Sequence, residues 1–190
     1  MKILLLCYER SGSTTLIEIL KDYYKCKRLA VDKIWSRQED IYDIDAITKH
    51  KELVYKSFVI EKLKDWNKAL LNVEWDLVIF LKRNVDDMMI SIEHAVRSNN
   101  WIHPYKINPR LKVSKRIRNH YKKSFKNYNE FYSNYKGNKV EVEYEKLYHE
   151  TKSIRKKEIK KILDGKIDDV FIERLSPKHK YTKTNRTELI

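Results

Sequence analysis

The stretch Lys2-Ile3-Leu4-Leu5-Leu6-Cys7-Tyr8-Glu9-Arg10-Ser11-Gly12-Ser13-Thr14-Thr15 decides the fold class. The run from Ile3 to Tyr8 is apolar throughout. It is too short to span a membrane, and no cleavage-site pattern follows it, so it reads as a buried strand. A glycine-bearing, hydroxyl-rich loop comes next. Leu16, Ile17, Ile19, Leu20 and Tyr23 then recur at the spacing of one helix face. Strand, glycine loop and helix together open a βαβ unit.

Working outward, Leu29-Ala30-Val31 predicts a short second strand, 40–49 a helix, and Leu53-Val54-Tyr55-Lys56 a third strand. Helix follows at 60–71. Trp75-Asp76-Leu77-Val78-Ile79-Phe80-Leu81 has the near-continuous apolar character of a strand covered on both faces. The spacing predicts helix again over 85–97 and a loop over 99–109, which holds two of the three prolines. Leu111, Ile117, Tyr121, Phe125, Tyr128, Tyr132 and Tyr135 mark one stripe of a long helix, with Gly137 placed as a C-terminal cap. Val140-Glu141-Val142-Glu143-Tyr144 alternates like a strand, 151–163 and 167–175 read as helices, and 176–190 is a polar tail without period. The expectation is an α/β fold in one domain over 1–190, with a central parallel sheet of four to five strands flanked by helices.

Composition narrows the function classes. With 42% hydrophobic and 12% aromatic residues in 190, the chain can bury a core and is no disordered tail; three Gly and three Pro exclude collagen-like or linker-rich designs. Two cysteines, Cys7 and Cys26, cannot build a disulfide framework, which fits a reducing, cytoplasmic setting in a bacterium or a virus-infected host cell. The 41 Lys and Arg against 27 acids give a net +14. That charge is uneven: 94–129 contains no Asp or Glu but includes Arg97, Lys112, Lys115, Arg118, Lys122 and Lys126. A basic face of this kind attracts polyanions.

Two constellations carry chemistry. In the first, the backbone amides at the start of the helix and the hydroxyls of Ser11, Ser13, Thr14 and Thr15 make an anion cradle, which Gly12 lets the ligand approach closely. A nucleoside-triphosphate-hydrolysing loop would read G-x-x-x-x-G-K-[ST]. Here Ser13 follows the glycine, and the cation, Arg10, precedes it. In the second, Arg83 stands at the C-terminal edge of the strand ending at Leu81, where open α/β sheets bind ligands, and Ser91 lies two turns into the next helix. An Arg and a hydroxyl so placed suit a second phosphate.

Together these segments resemble the sulfotransferase family, whose sulfuryl donor is 3′-phosphoadenosine 5′-phosphosulfate. Arg10-Ser11-Gly12-Ser13-Thr14 is similar to its 5′-phosphosulfate loop, [KR]-[SG]-G-[ST]-[ST]. Arg83-Asn84-Val85-Asp86-Asp87-Met88-Met89-Ile90-Ser91 is similar to its 3′-phosphate segment, R-[ND]-P-x-D-x-x-x-S, with Val85 in the proline position. Tyr144-Glu145-Lys146-Leu147 resembles its Y-E-D-L near the adenine. The three occur in the family's order over residues 3–147. The resemblance implies a P-loop-like three-layer fold and a nucleotide site built from Arg10, Ser11, Gly12, Ser13, Thr14, Thr15, Arg83, Ser91 and Tyr144. It further implies transfer of a sulfuryl group to an acceptor hydroxyl or amine. Its K-T-H segment falls on Lys56-Ser57-Phe58, which keeps Lys56 as a sulfonate contact but replaces the basic histidine by Phe58. Heparan and tyrosyl-protein members carry an acid some two dozen positions after the loop cation. Asp32 holds that place here, and His94, one turn after Ser91, is the alternative base.

No metal is required, since no His/Cys cluster has ligand spacing. The basic face suits an anionic saccharide acceptor. Two other readings remain at this point: a nucleotide or small-molecule kinase with a degenerate phosphate loop, and a basic nucleic-acid-binding module. The second is disfavoured because Tyr121 and Phe125 lie on the apolar stripe.

Overall fold

The computed structural model describes residues 1–30, 44–99, 111–165 and 167–175. Asp32, Val31, the first half of the 40–49 helix, the 99–109 loop beyond Asn99 and the 176–190 tail lie outside the described residues.

Among the described residues five strands form one sheet: β1 (Lys2–Cys7), β2 (Lys27–Ala30), β3 (Leu53–Phe58), β4 (Leu77–Lys82) and β5 (Lys139–Glu143). Their order is β2-β3-β1-β4-β5, and every pairing is parallel. β1 sits in the middle, with Leu5 opposite Lys56 of β3 on one side and Ile79 of β4 on the other. A strand in that position can leave neither face to water. The residues from Ile3 to Cys7 are accordingly fully buried.

Alternation along β1 divides the core into two layers. Ile3, Leu5 and Cys7 pack with Leu16, Ile17 and Leu20 of α1 (Ser13–Tyr24), Leu147 of α6 (Tyr144–Tyr148), Ile159 of α7 (Lys152–Ile159) and Ile172 of α8 (Asp169–Arg174). Leu4, Leu6 and Tyr8 face the other way. They meet Ile47 of α2 (Ile44–Lys49), Leu70 of α3 (Lys64–Leu71), Met88 and Ile92 of α4 (Val85–Ser98), and Tyr121, Tyr128 and Phe131 of α5 (Lys115–Asn134). Helices thus cover both faces of a parallel sheet, the three-layer α/β architecture expected.

Several boundaries differ from the sequence reading. Trp75 lies before β4 and donates its indole N–H to the Leu70 carbonyl (2.7 Å). Tyr144 begins a helix instead of ending a strand. Residues 60–71 open as a 3₁₀ turn over Glu61–Leu63 and continue as α3. Gly137 is not a left-handed cap. α5 stops with Tyr135 in an extended conformation (φ −67°, ψ 125°), and the Lys139 ammonium takes the place of a glycine cap by donating to the Tyr132 and Tyr135 carbonyls.

The start of α5 is tied to α4 through a buried acid. Glu93 is 4% exposed; it accepts the Ser114 backbone N–H (2.8 Å) and pairs with Arg97 (2.7 Å). The Ser114 amide, with Arg97 adding to it, holds the Glu93 carboxyl below the usual range.

Candidate functional site

β1 delivers the chain into the 8–12 loop at the C-terminal edge of the sheet. β4 delivers Arg83 beside it, at the point where the strand order reverses direction. Two residues of the loop have positive φ: Arg10 at 59° and Gly12 at 70°. For Arg10 this conformation costs ~1–3 kcal/mol and survives because the surroundings hold it. Ser11 is fully buried, and its hydroxyl donates to the Tyr8 carbonyl (2.6 Å). That hydroxyl therefore braces the turn. Gly12 caps α1 with no side-chain hydrogen bond, so the first amides of a 12-residue helix lack an intrahelical acceptor. Ser13 is buried beneath them; Thr14 is exposed and Thr15 half-buried at the rim.

The glycine is required twice over. Besides the left-handed φ, a Cβ at position 12 would stand 2.6 Å from Cε2 of Tyr148 and 3.0 Å from Cε2 of Tyr144. Tyr148 cannot swing aside freely, because it is 7% exposed and donates its hydroxyl to the Gly12 carbonyl (2.7 Å). Burial pushes the pKa of both tyrosines up, so both rings stay neutral.

The three sequence segments close on one another here. Arg10 Nε donates to Ser91 Oγ (3.3 Å). Arg83 donates through Nη1 to the Arg10 carbonyl, and its guanidinium carbon lies 4.3 Å from the Tyr144 ring centroid. Glu145, one residue on, accepts the Asn84 backbone N–H (2.9 Å), while the Asn84 side chain caps α4 by accepting from the amides of Asp86 and Asp87. Ser91 is 1% exposed and Arg83 7%, so neither is the solvated strand-end charge or surface hydroxyl that its residue type alone suggests. Arg83 Nε is buried and has no hydrogen-bond partner among the described residues. A buried guanidinium with a spare donor and no carboxylate partner is a standing demand for an acceptor.

Lys56 is 1% exposed, with its ammonium 5.0 Å from the Phe58 ring centroid at the C-terminal end of β3. An exposed strand-end lysine is thereby excluded. His94 is half-buried on α4, one turn beyond Ser91.

On the other flank, Tyr121 of α5 donates its hydroxyl to Glu9 of the loop. Burial, then the neighbouring Glu9 charge, keeps that phenol protonated. The Glu9–Tyr121 contact and Tyr148 escaped the sequence reading. Tyr148 was findable: it stands four residues after Tyr144, one helical turn away, once 144 is read as the start of a helix.

No protein-family model matches the chain, and no curated protein matches it in sequence. Among solved structures it resembles mouse sulfotransferase SULT7A1 complexed with PAP, with a TM-score of 0.54 at 16% identity. The match covers 92% of this chain and 62% of the mouse protein. The likeness shows the fold. This is a sulfotransferase-like α/β architecture. Among the described residues no group of His, Cys, Asp or Glu could hold a metal ion, and no helix is long and apolar enough to cross a membrane.

Proposed function

We propose that the chain is a sulfotransferase that moves a sulfuryl group from 3′-phosphoadenosine 5′-phosphosulfate to an acceptor hydroxyl or amine. The observation that carries this reading is the convergence of Arg10, Gly12, Arg83, Ser91 and Tyr144 on one strand-edge site, with a donor of buried Arg83 left over. Free amides at the start of α1 would hold the 5′-phosphosulfate, with Gly12 permitting close approach and Ser13, Thr14 and Thr15 at its rim. Arg83 and Ser91 would hold the 3′-phosphate, the group that separates this donor from ATP. Tyr144, whose ring already stacks on the Arg83 guanidinium, would flank the adenine.

In-line transfer builds charge on the bridging oxygen between sulfur and the 5′-phosphate. Arg10 and Lys56 are the cations assigned to it, as cations serve phosphoryl transfer. Asp32 or His94 takes the acceptor proton. The two are told apart by substitution: loss of the base lowers turnover by ~10²–10⁴-fold while donor affinity holds, in Asp32→Ala for the one and in His94→Ala for the other.

The test is a thermal-shift comparison of 3′-phosphoadenosine 5′-phosphate (PAP), ADP and ATP with Mg²⁺. At ~100 times its dissociation constant, PAP should stabilise by about 2.7 kcal/mol, well above ADP. Equal shifts with ADP would remove the reason for assigning Arg83 and Ser91 to a 3′-phosphate. A larger shift with ATP and Mg²⁺ would favour a kinase.

A further inference from the structure

An acidic residue stands where an anion site can least use one. Glu9 directly precedes Arg10, the cation of the 8–12 loop. Successive Cα atoms are ~3.8 Å apart, so the Glu9 Cα lies within about 8 Å of the backbone at Ser11 that opens the cradle. A carboxylate so close to an anion site has two harmful options. It can pair with Arg10 and cancel that charge, or stand free and repel the ligand. Against a dianion about 8 Å away in water, repulsion of this kind costs about fivefold in affinity, and more where water is excluded.

The structure takes neither option. Arg10 Nε donates to Ser91 Oγ on α4, whereas the Glu9 carboxylate accepts the hydroxyl of Tyr121 on α5. Two adjacent side chains of opposite charge are thus drawn to different helices. Among the described residues Glu9 forms no ion pair. Other acids of the molecule take cations: Glu18 pairs with Lys21, Glu93 with Arg97, Glu143 with Lys146 and Glu158 with Lys161.

The partner of Glu9 is suited to holding a carboxylate in place. Tyr121 is 2% exposed and packs in the layer between the sheet and α5 with Tyr128 and Phe131. Its ring meets His120 edge-on, with centroids 4.9 Å apart. Burial keeps the phenol protonated, so it remains a donor. α5 also carries Arg118 and Lys122, but both lie on its exposed side, and the side chain that reaches the loop is neutral. A phenol satisfies the carboxylate by a hydrogen bond and brings no charge of its own, so Arg10 keeps its positive charge for a ligand.

We propose that Tyr121 is a positioning residue that holds the Glu9 carboxylate off Arg10 and away from the anion cradle. This rests on the reading of the 8–12 loop as an anion site, for which the sulfotransferase reading names the ligand. The competing account is a mechanical one. Glu9 adjoins the strained Arg10 (φ 59°), and the tie to Tyr121 would then only brace the turn. The two accounts differ in what happens when the Glu9 charge is removed.

The experiment titrates PAP and inorganic pyrophosphate against the wild type, Tyr121→Phe, Glu9→Gln, Glu9→Asp and the double variant Tyr121→Phe/Glu9→Gln. It does so at two salt concentrations and records the melting temperature of each protein. Tyr121→Phe deletes the donor and keeps the ring. Glu9→Asp keeps the charge and shortens the arm by one methylene, so that it falls short of Tyr121. Both should bind PAP and pyrophosphate at least fivefold more weakly than the wild type, with the deficit shrinking at the higher salt. Glu9→Gln should bind at least as tightly as the wild type, and the double variant should recover to within twofold of Glu9→Gln. A brace alone would leave the double variant as weak as Tyr121→Phe, and that result would overturn the proposal. So would Tyr121→Phe affinity within twofold of the wild type. If Tyr121→Phe does not fold, Glu9→Asp against Glu9→Gln decides with α5 intact, and equal affinities overturn the keeper role. With PAP bound by the wild type, all of these results leave the sulfotransferase reading standing. A wild type that binds pyrophosphate but not PAP overturns that reading, and the keeper role is then decided on pyrophosphate. Binding of neither overturns both.

Discussion

The two ends of the sheet make an instructive pair. At the N-terminal edge of the strands lies a cavity of about 470 Å³ lined by Lys2, Thr48, His50, Asn72, Glu74 and Asp76 among others. It is concave and mixed in charge. Its polar groups nevertheless answer one another: the Lys2 amide donates to Asp76 (2.7 Å), the Lys2 ammonium to the Thr48 carbonyl (3.4 Å), and the Thr48 hydroxyl to the Ile44 carbonyl (2.7 Å). The Lys2 ammonium also lies 5.3 Å from the Trp75 ring centroid, and burial holds its pKa below the ordinary lysine value. At the C-terminal edge, the 8–12 loop offers helix-start amides without a side-chain cap, a non-glycine residue at positive φ, and a buried guanidinium with a spare donor. Unsatisfied polarity held in place by strain, more than concavity, marks a ligand site.

Gly12→Ala is the strongest way to break this contrast. The added methyl meets both the left-handed φ and the Tyr148 ring, so stability should fall by ~2–4 kcal/mol and PAP affinity by more than ~100-fold. A variant that melts like the wild type would mean that the loop relaxes freely and stores no strain.

Next in size is Arg83→Ala. A lost charge-assisted hydrogen bond is worth roughly 1.5–3 kcal/mol, at least tenfold in PAP affinity, with a smaller melting change than Gly12→Ala produces. Unchanged affinity together with a collapsed fold would make Arg83 a brace for the Arg10 carbonyl alone.

Glu93→Gln sharpens the comparison from the other side, because this buried carboxylate is satisfied and should govern stability without touching the nucleotide. Its folded pKa lies below its unfolded one, so its stabilisation is present above the unfolded value of ~4.3 and lost as pH falls through the folded value. The melting temperature should be lower in the variant at pH 7, with the gap closing as pH falls below the unfolded value. A constant gap across that range would locate the effect in shape instead of charge.

The smallest effect belongs to the cavity. His50→Gln combined with Glu74→Gln should leave PAP affinity within twofold and stability within ~0.5 kcal/mol. A tenfold loss of affinity would show that the two ends of the sheet are coupled.

The strands and the order of the motifs were legible because each depends on local pattern. β1 and β4 are central strands, and central parallel strands read as continuous apolar runs. The phosphate loop was legible from Gly12, a rare glycine between hydroxyls. The termination of α5 was not, because Lys139, five residues past the last helical residue, serves carbonyls where a glycine at 137 pointed to a cap. The burial of Lys56 and Ser91 was not legible, since residue type indicates average burial and not the burial of one position. Tyr121 and Glu9 lie 112 residues apart, and no local period connects them.

The sequence by itself determined an α/β alternation, a phosphate-type loop after the first strand, an Arg–Ser pair after a later one, and a basic, acid-free segment. Each follows from short-range spacing, which periodicity and charge report directly. Only the tertiary structure decided that Arg10, Arg83, Ser91, Gly12 and Tyr144 meet at one point. It also decided that Ser11 braces the turn, that Lys56 is buried, and that Tyr121 of α5 reaches Glu9 of the same loop. Those facts depend on the parallel strand order β2-β3-β1-β4-β5, which sets the ends of β1 and β4 side by side. Strand neighbours are chosen by burial of both sheet faces at once, a property of the whole chain that no single segment carries.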